Sequence, residues 1–420
     1  MLDRLNRPAG GIDLASISGN RMIHAPLVPF RDFRLSEPPM GWSKTRRRLN
    51  VFTRRVVRNL LFPVAPPHSS TSAQSWVEAQ HADRHTYCEI DESQRWRRRV
   101  PRCIDDDLHW RFHELEASTG PTFVASIRAG RIFGKYGVVI TPDNLVALDL
   151  CHEYGSPPGE HSVLHQGNLP RVESFSGRLG LLATKGSQGF FHWVFDEMPR
   201  LGLLAGEDVD RYYVHVEHEF QRQYLRLFGV ADEQIFSASR FTHVRPTTVV
   251  APSLPGSSGV VTDRSRRFLR RALDRVETAS PIGKRVYVSR GDVAHRRVSN
   301  EPAVIGVLKR LGFQEARLAG LAVAEQIAVF ANAEVIVAPH GAGLSNLVYA
   351  APRTRVLEMF SPNYVHPCYW SLSCLCELDY AYLLGVGPRP APGVDPHRHR
   401  EHLTIDTDQL RLAVKSLLDD

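Results

Sequence analysis

The sequence predicts an α/β fold: two doubly wound halves, each a parallel sheet covered by helices, facing across a cleft. Short apolar runs alternate with segments of helical length from Leu179 onward, as in βα units whose strands are buried on both faces. The alternation breaks once, at the Gly/Ser/Pro-rich stretch Leu254 to Val261, and then resumes. Near the C-terminal end an apolar run (Val335, Ile336, Val337) leads into Pro339-His340-Gly341-Ala342-Gly343, and a second run, Arg355 to Phe360, follows after about one helix. That is a glycine-rich turn opening a helix at a strand tip, the place where open α/β sheets bind ligands.

Taken in order, residues 1–110 read as a basic, Pro/Arg-rich extension, with a polar break at Pro63 to Ser72 and a second basic run at Arg95 to Arg102. Folded structure is expected from Pro121. Thr122 to Ile127 and Arg131 to Ile140 read as strands separated by an Ala129-Gly130 turn. Leu179 to Thr184, Tyr212 to Glu217 and Thr247 to Ala251 are further strands; Phe190 to Leu204 and Phe220 to Phe228 are helices. These complete a first half over 111–262. In the second, 263–420, Asp263 to Ala279 is a strongly basic helical pattern, and Arg285 to Ser289, Glu334 to Ala338, Arg355 to Phe360 and Tyr380 to Leu384 are strands. Pro302 to Leu311, Ala324 to Ala331 and Leu344 to Ala350 are the helices among them.

Composition narrows the function classes. A chain of 420 residues with 43% hydrophobic and 23% charged residues suits a globular protein with a large core. No apolar run approaches the length of a membrane span, and no secretory signal is visible in the first thirty residues. Six cysteines are few for this length and show neither the pairing of a zinc site nor the density of a disulfide scaffold, which suggests reduced thiols in a cytoplasm. The net charge of +7 is local: Trp42 to Pro63 holds seven basic residues and no acidic one. Leu49, Phe52, Val56 and Leu60 share one helical face there, which predicts an interfacial helix on an anionic membrane or an ordinary packed helix. No nucleic-acid partner is expected, because one basic segment is not a protein-wide basic surface. The phosphate loop, Gly-x-Gly-x-x-Gly after a strand, Gly-x-Ser-x-Gly and His-Glu-x-x-His motifs are all missing, which argues against NTPase, ordinary dehydrogenase, serine hydrolase and zincin.

Three blocks in order resemble glycosyltransferase family 61. They are Phe191-His192-Trp193 with Asp196 and Pro199-Arg200; Tyr287-Val288-Ser289-Arg290 with Arg296-Arg297 and Asn300-Glu301; and Ala324-Glu325-Gln326 through Pro339-His340-Gly341-Ala342-Gly343-Leu344, Asn346-Leu347 and Val356-Leu357-Glu358. The first block departs from the family pattern, with Gly189 where an asparagine usually precedes the two aromatics. The resemblance implies two Rossmann-like domains, the glycosyltransferase B fold. It also implies transfer of a sugar from a nucleotide donor, commonly UDP-linked, to a glycan or lipid-linked acceptor, in bacteria often for capsular or other surface polysaccharide.

The residues fit that chemistry in two groups. The turn Gly341, Ala342, Gly343 with His340, and the strand-end arginines Arg290, Arg296 and Arg297, are expected around a nucleotide-sugar diphosphate, where cations and amides stabilise the departing charge. Asn346 is expected one turn into the helix at the same site, and Glu358 near ribose hydroxyls. His192 and Asp196, four apart on one helical face, are the candidates for the base that takes the acceptor proton in an inverting transfer, and the spacing leaves open which of them does so. No cofactor beyond the donor and no metal is expected: Asp105-Asp106-Asp107 has metal-site spacing but lies in the extension. The protein is expected in the cytoplasm, and the interfacial-helix reading would add a peripheral position at the inner membrane face. A non-catalytic sugar-nucleotide or glycan-binding protein on the same fold is the alternative.

Overall fold

The structure, a computed structural model, describes residues 63–420 except 81–83, 104–106, 158, 258, 278 and 420. All of these fall in one compact unit, Arg58–Asp420. The amphipathic pattern of Trp42 to Pro63 and most of Asp105-Asp106-Asp107 lie outside the described residues.

The fold is α/β with parallel strands in two sheets. The C-terminal one is six-stranded and parallel throughout, in the order Gln314–Ala316, Arg285–Val288, Val335–Pro339, Arg355–Phe360, Asp379–Leu384, Arg102–Cys103. Its central strands are mostly apolar because both faces are covered. Val335, Val337, Leu357 and Met359 face the helices Glu301–Arg310 and Thr407–Asp419 through Val304, Leu308, Leu410 and Val414. The alternate residues Ile336, Ala338, Val356 and Phe360 face the opposite layer, with Ile327, Phe330, Leu347 and Trp370. The helix Thr407–Asp419 and the helix Cys368–Leu375 were not expected from the sequence.

The ten-stranded sheet is mixed. Glu173–Leu181, Arg211–Val214 and His243–Pro252 pair in parallel, as expected, and are joined by Ile235–Ser237, which was not expected. Thr122–Arg128 and Arg131–Phe133, however, both run antiparallel to His243–Pro252. Ala129-Gly130 is therefore not a chain reversal: Ala129 takes φ 55° while its amide still bonds Thr247 O at 3.0 Å. It is a bulge within one long bent strand, with one residue in the left-handed region beside a glycine.

Folded structure also begins earlier than Pro121. Ser69–Thr71 and Thr86–Asp91 join the ten-stranded sheet and Arg102–Cys103 edges the six-stranded one. Short, polar edge strands lack the apolar alternation that sequence reading relies on. The core beneath the cleft is continuous, running from Trp193, Tyr224 and Phe268 to Leu347, Tyr349 and Tyr369. Arg270 bridges the same seam by donating to the carbonyls of Val348 and Ala350.

Candidate active site

The strands Arg285–Val288 and Val335–Pro339 are parallel neighbours, with Tyr287 opposite Val337, so their tips bring Arg290 beside Gly341. A Cβ on Gly341 would lie 1.8 Å from an Arg290 guanidinium nitrogen and 2.5 Å from its central carbon. Gly341 has φ 169°, ordinary extended backbone, so the glycine serves close approach and not an unusual conformation. Gly343 likewise leaves room for the Leu318 side chain, 2.8 Å from where its Cβ would sit. The turn opens a 3-10 helix, Ala342–Tyr349, rather than the α-helix expected. The Leu344 amide is already bonded to Gly341 O at 2.9 Å.

Arg290 donates to His295 O at 3.2 Å, and its Nε is buried with no partner among the described residues. Burial, and next the neighbouring Arg296 charge, lower its pKa to about 10. Arg296 donates to His399 O at 2.8 Å, lies 5.5 Å over the Tyr364 ring, and also has an unpartnered buried Nε. Among the described residues neither guanidinium is paired with a carboxylate. Both follow the strand Arg285–Val288, with Asp292 between them in the loop, and two mutually repelling cations that form no ion pair favour an added anion. Arg297 is not part of it: the residue is exposed, with its amide bonded to His402 Nδ1 at 3.1 Å.

His340 is buried behind the turn. Its Nδ1 is 2.6 Å from Glu358 Oε1, and Tyr380 donates to Glu358 Oε2 at 2.5 Å. Burial pushes Glu358 well up; burial, with Arg296 and Arg290, pushes His340 well down. The pair is thus held as a neutral acid and a neutral imidazole: Oε1–H donates to Nδ1, leaving the ring hydrogen on Nε2. Glu358, expected at a ribose, has both oxygens committed to its neighbours.

Asn346 is also internal. Its amide nitrogen donates to Gln326 Oε1 and Gly343 O, both at 3.1 Å, and Gln326 Nε2 donates to the carbonyls of Leu318 and Leu321 at 3.0 and 3.1 Å. This chain ties the 318–321 loop to the glycine turn. Between them opens a cleft of about 610 Å³, walled by Arg290, Gly341 to Leu344 and Leu318 to Ala322, with Phe190, Glu219, Phe220 and Gln223 on the other side.

Phe190 also begins the helix carrying the second group. That helix runs Phe190–His192, passes through a π turn at Trp193–Glu197, and continues as Met198–Leu203. Such π turns are concentrated at functional sites. His192 Nδ1–H donates to Asp196 Oδ2 at 2.6 Å. Asp196 is buried while the His192 side chain is 31% exposed. The imidazole packs over Gly186, where a Cβ would come within 2.9 Å of it. The carboxylate fixes the tautomer, so Nε2 carries the lone pair.

Sequence reading missed Gln326 as the clamp on the 318–321 loop, Tyr380 as the second donor to Glu358, and Tyr154, which donates to Asp196 Oδ2 at 2.6 Å. Gln326 stood in the third sequence block, so a signal existed. Tyr154 sits in an irregular loop with no pattern to reveal it.

Residues 190–357 match the family model Glycosyltransferase 61. Over this span, two fifths of its length, the chain is similar to glycosyltransferase family 61. The matched segment includes His192, Asp196, Arg290, Arg296, His340, the glycine turn and Asn346, and stops one residue short of Glu358. Over 56 residues the chain is 41% identical to Beta-1,2-xylosyltransferase RCN11 of Oryza sativa subsp. japonica, covering 13% of this chain and 10% of that protein. The match thus spans about a tenth of the curated relative's length. Among solved structures, the bacterial iron-containing dodecameric glycosyltransferase TibC from enterotoxigenic E. coli H10407 overlays on 85% of this chain and 98% of its own at 11% identity. The TM-score of 0.27 is too low to identify a shared fold.

Proposed function

We propose that this protein is an inverting, metal-independent glycosyltransferase that moves a sugar from a nucleotide donor, UDP-linked by family resemblance, to a glycan or lipid-linked acceptor. The observation that carries the reading is Arg290, which lines the cleft at a strand end with Arg296 close behind it, neither guanidinium paired with a carboxylate among the described residues. In this reading the donor lies in the cleft with its diphosphate against Arg290, Arg296, the turn Gly341 to Gly343 and the Nε2–H of His340. Glu358 and Asn346 hold that surface in place without touching the donor. The two sheets act as the donor and acceptor halves of a glycosyltransferase B arrangement.

His192 is the base and Asp196 its orienting carboxylate. The acceptor oxygen attacks the anomeric carbon from the face opposite the diphosphate while His192 Nε2 takes its proton. The bond from carbon to phosphate oxygen breaks, its electron pair stays on the diphosphate, and the arginines stabilise the added charge. A role in surface polysaccharide synthesis at the inner membrane face follows the family resemblance.

The test is UDP release from a panel of UDP-sugars with and without glycan acceptors, in the presence and absence of EDTA. Sugar transfer that survives EDTA and is lost in His192→Gln supports the reading. Tight donor binding with neither transfer nor donor hydrolysis favours a binding protein, and activity restored only by a divalent ion overturns metal independence.

A further inference from the structure

Asp196 Oδ2 receives a second hydrogen bond, as short as the one from His192. Tyr154 Oη donates to that oxygen at 2.6 Å, and its ring lies 5.2 Å from the imidazole. Tyr154 lies outside the family 61 segment, on a loop anchored by the residue before it. Glu153 takes hydrogen bonds from Lys185 Nζ, from the Ser162 amide at 2.6 Å and from the Ser162 hydroxyl at 3.0 Å. Burial opposes the charge on Glu153, but Lys185, Ser162 and His161 outweigh it and hold the carboxyl down at about 2. The anchor is therefore charged at any working pH.

The remaining groups around the trio are accounted for. His152 meets the Tyr154 ring edge-on at 5.4 Å. Arg200 is fully buried and donates to the carbonyls of Leu150, Leu182, Ala183, Pro252 and Ser253. Glu197 is buried, and burial raises its pKa well above the usual carboxylate range. Burial, then the Asp196 charge, push the Tyr154 phenol well up, so it always has a proton to donate.

We propose that Tyr154 is a positioning residue that shares Asp196 Oδ2 with His192, fixing the carboxylate and limiting how tightly it holds the proton on the imidazole. The inference rests on His192 being the base. A hydrogen bond from Tyr154 draws negative charge away from the oxygen facing His192. Without it the carboxylate grips protonated imidazole harder, and the free base is available only at higher pH.

Tyr154→Phe keeps the ring against His192 and removes only the hydroxyl. Measured as UDP release from the most active donor and acceptor pair, kcat should fall about tenfold. The acid limb of kcat against pH should move to higher pH by on the order of half a unit, with UDP affinity unchanged. Tyr154→3-fluorotyrosine, the same shape with a stronger donor, should move that limb the opposite way, and it serves if the Phe variant folds poorly. A pH profile that superimposes on the parent in both variants, while His192→Gln is inactive, overturns the role of Tyr154 alone. Full activity in His192→Gln overturns the base assignment and this inference with it.

Discussion

Gly341→Ala probes the proposed diphosphate site without removing any charge. The new methyl would stand 1.8 Å from an Arg290 nitrogen, and an ordinary contact needs 3.4 Å, so the guanidinium must retreat by about 1.6 Å. The backbone accepts alanine at φ 169°, and the obstacle is the far end of a flexible side chain, so the fold should survive with little loss of melting temperature. Donor binding should not. Moving a charge-assisted donor out of reach costs about 1.5–3 kcal/mol, or roughly 10- to 150-fold in Kd. Isothermal titration with UDP, repeated with pyrophosphate in case the base is not uracil, reads this directly. Because the methyl acts only through Arg290, Gly341→Ala added to Arg290→Ala should change affinity by less than about 0.5 kcal/mol. Parent-like affinity in folded Gly341→Ala would refute the placement of Arg290. Additive losses in the double variant would show that the turn binds the ligand by itself.

Three further outcomes are expected. Glu358→Gln should keep donor affinity within about twofold, because the amide can accept from Tyr380 and donate to His340 Nδ1 as the neutral acid does. Glu358→Leu leaves both partners unpaired at about 1–3 kcal/mol each, and equal behaviour of the two variants in UDP titration would contradict the neutral pair. Burial lowers His109, His243 and His366 each to about 4; the unfolded chain therefore binds more protons between about 6.5 and 4. Their contribution to stability is complete above about pH 6.5 and lost progressively down to about 4, so urea midpoints should fall across that window and fall less in His366→Asn; a flat profile would show these rings to be solvated. Full-length protein should sediment with anionic but not neutral vesicles, and a chain lacking residues 1–63 should not; identical sedimentation would remove the membrane role of Trp42 to Pro63.

The sequence by itself determined the alternation of strands and helices from Leu179 onward, the strand-tip turn at His340 and the basic residues beside it. Those signals are local: the strand Val335–Pro339 is an apolar run because both its faces are buried, and a turn against a guanidinium needs glycine. Period and residue type are visible one stretch at a time. Tertiary structure alone decided what each polar residue faces. Glu358 and Asn346 lie in the stretches that sequence reading marked, yet their partners are Tyr380 and His340 in one case and Gln326 in the other, 20 or so residues away in the chain. Arg296 and Arg297 are adjacent in sequence, but only Arg296, at φ 55°, turns onto Tyr364 and lies close enough to Arg290 for its charge to act there. That Asp196 is buried while His192 is partly exposed is a matter of burial, which spacing does not encode, and Tyr154 reaches Asp196 from a loop 42 residues upstream. The N-terminal strands were missed for the same reason. They are short and polar, and only the sheet edges they complete, supplied by residues far along the chain, give them their structure.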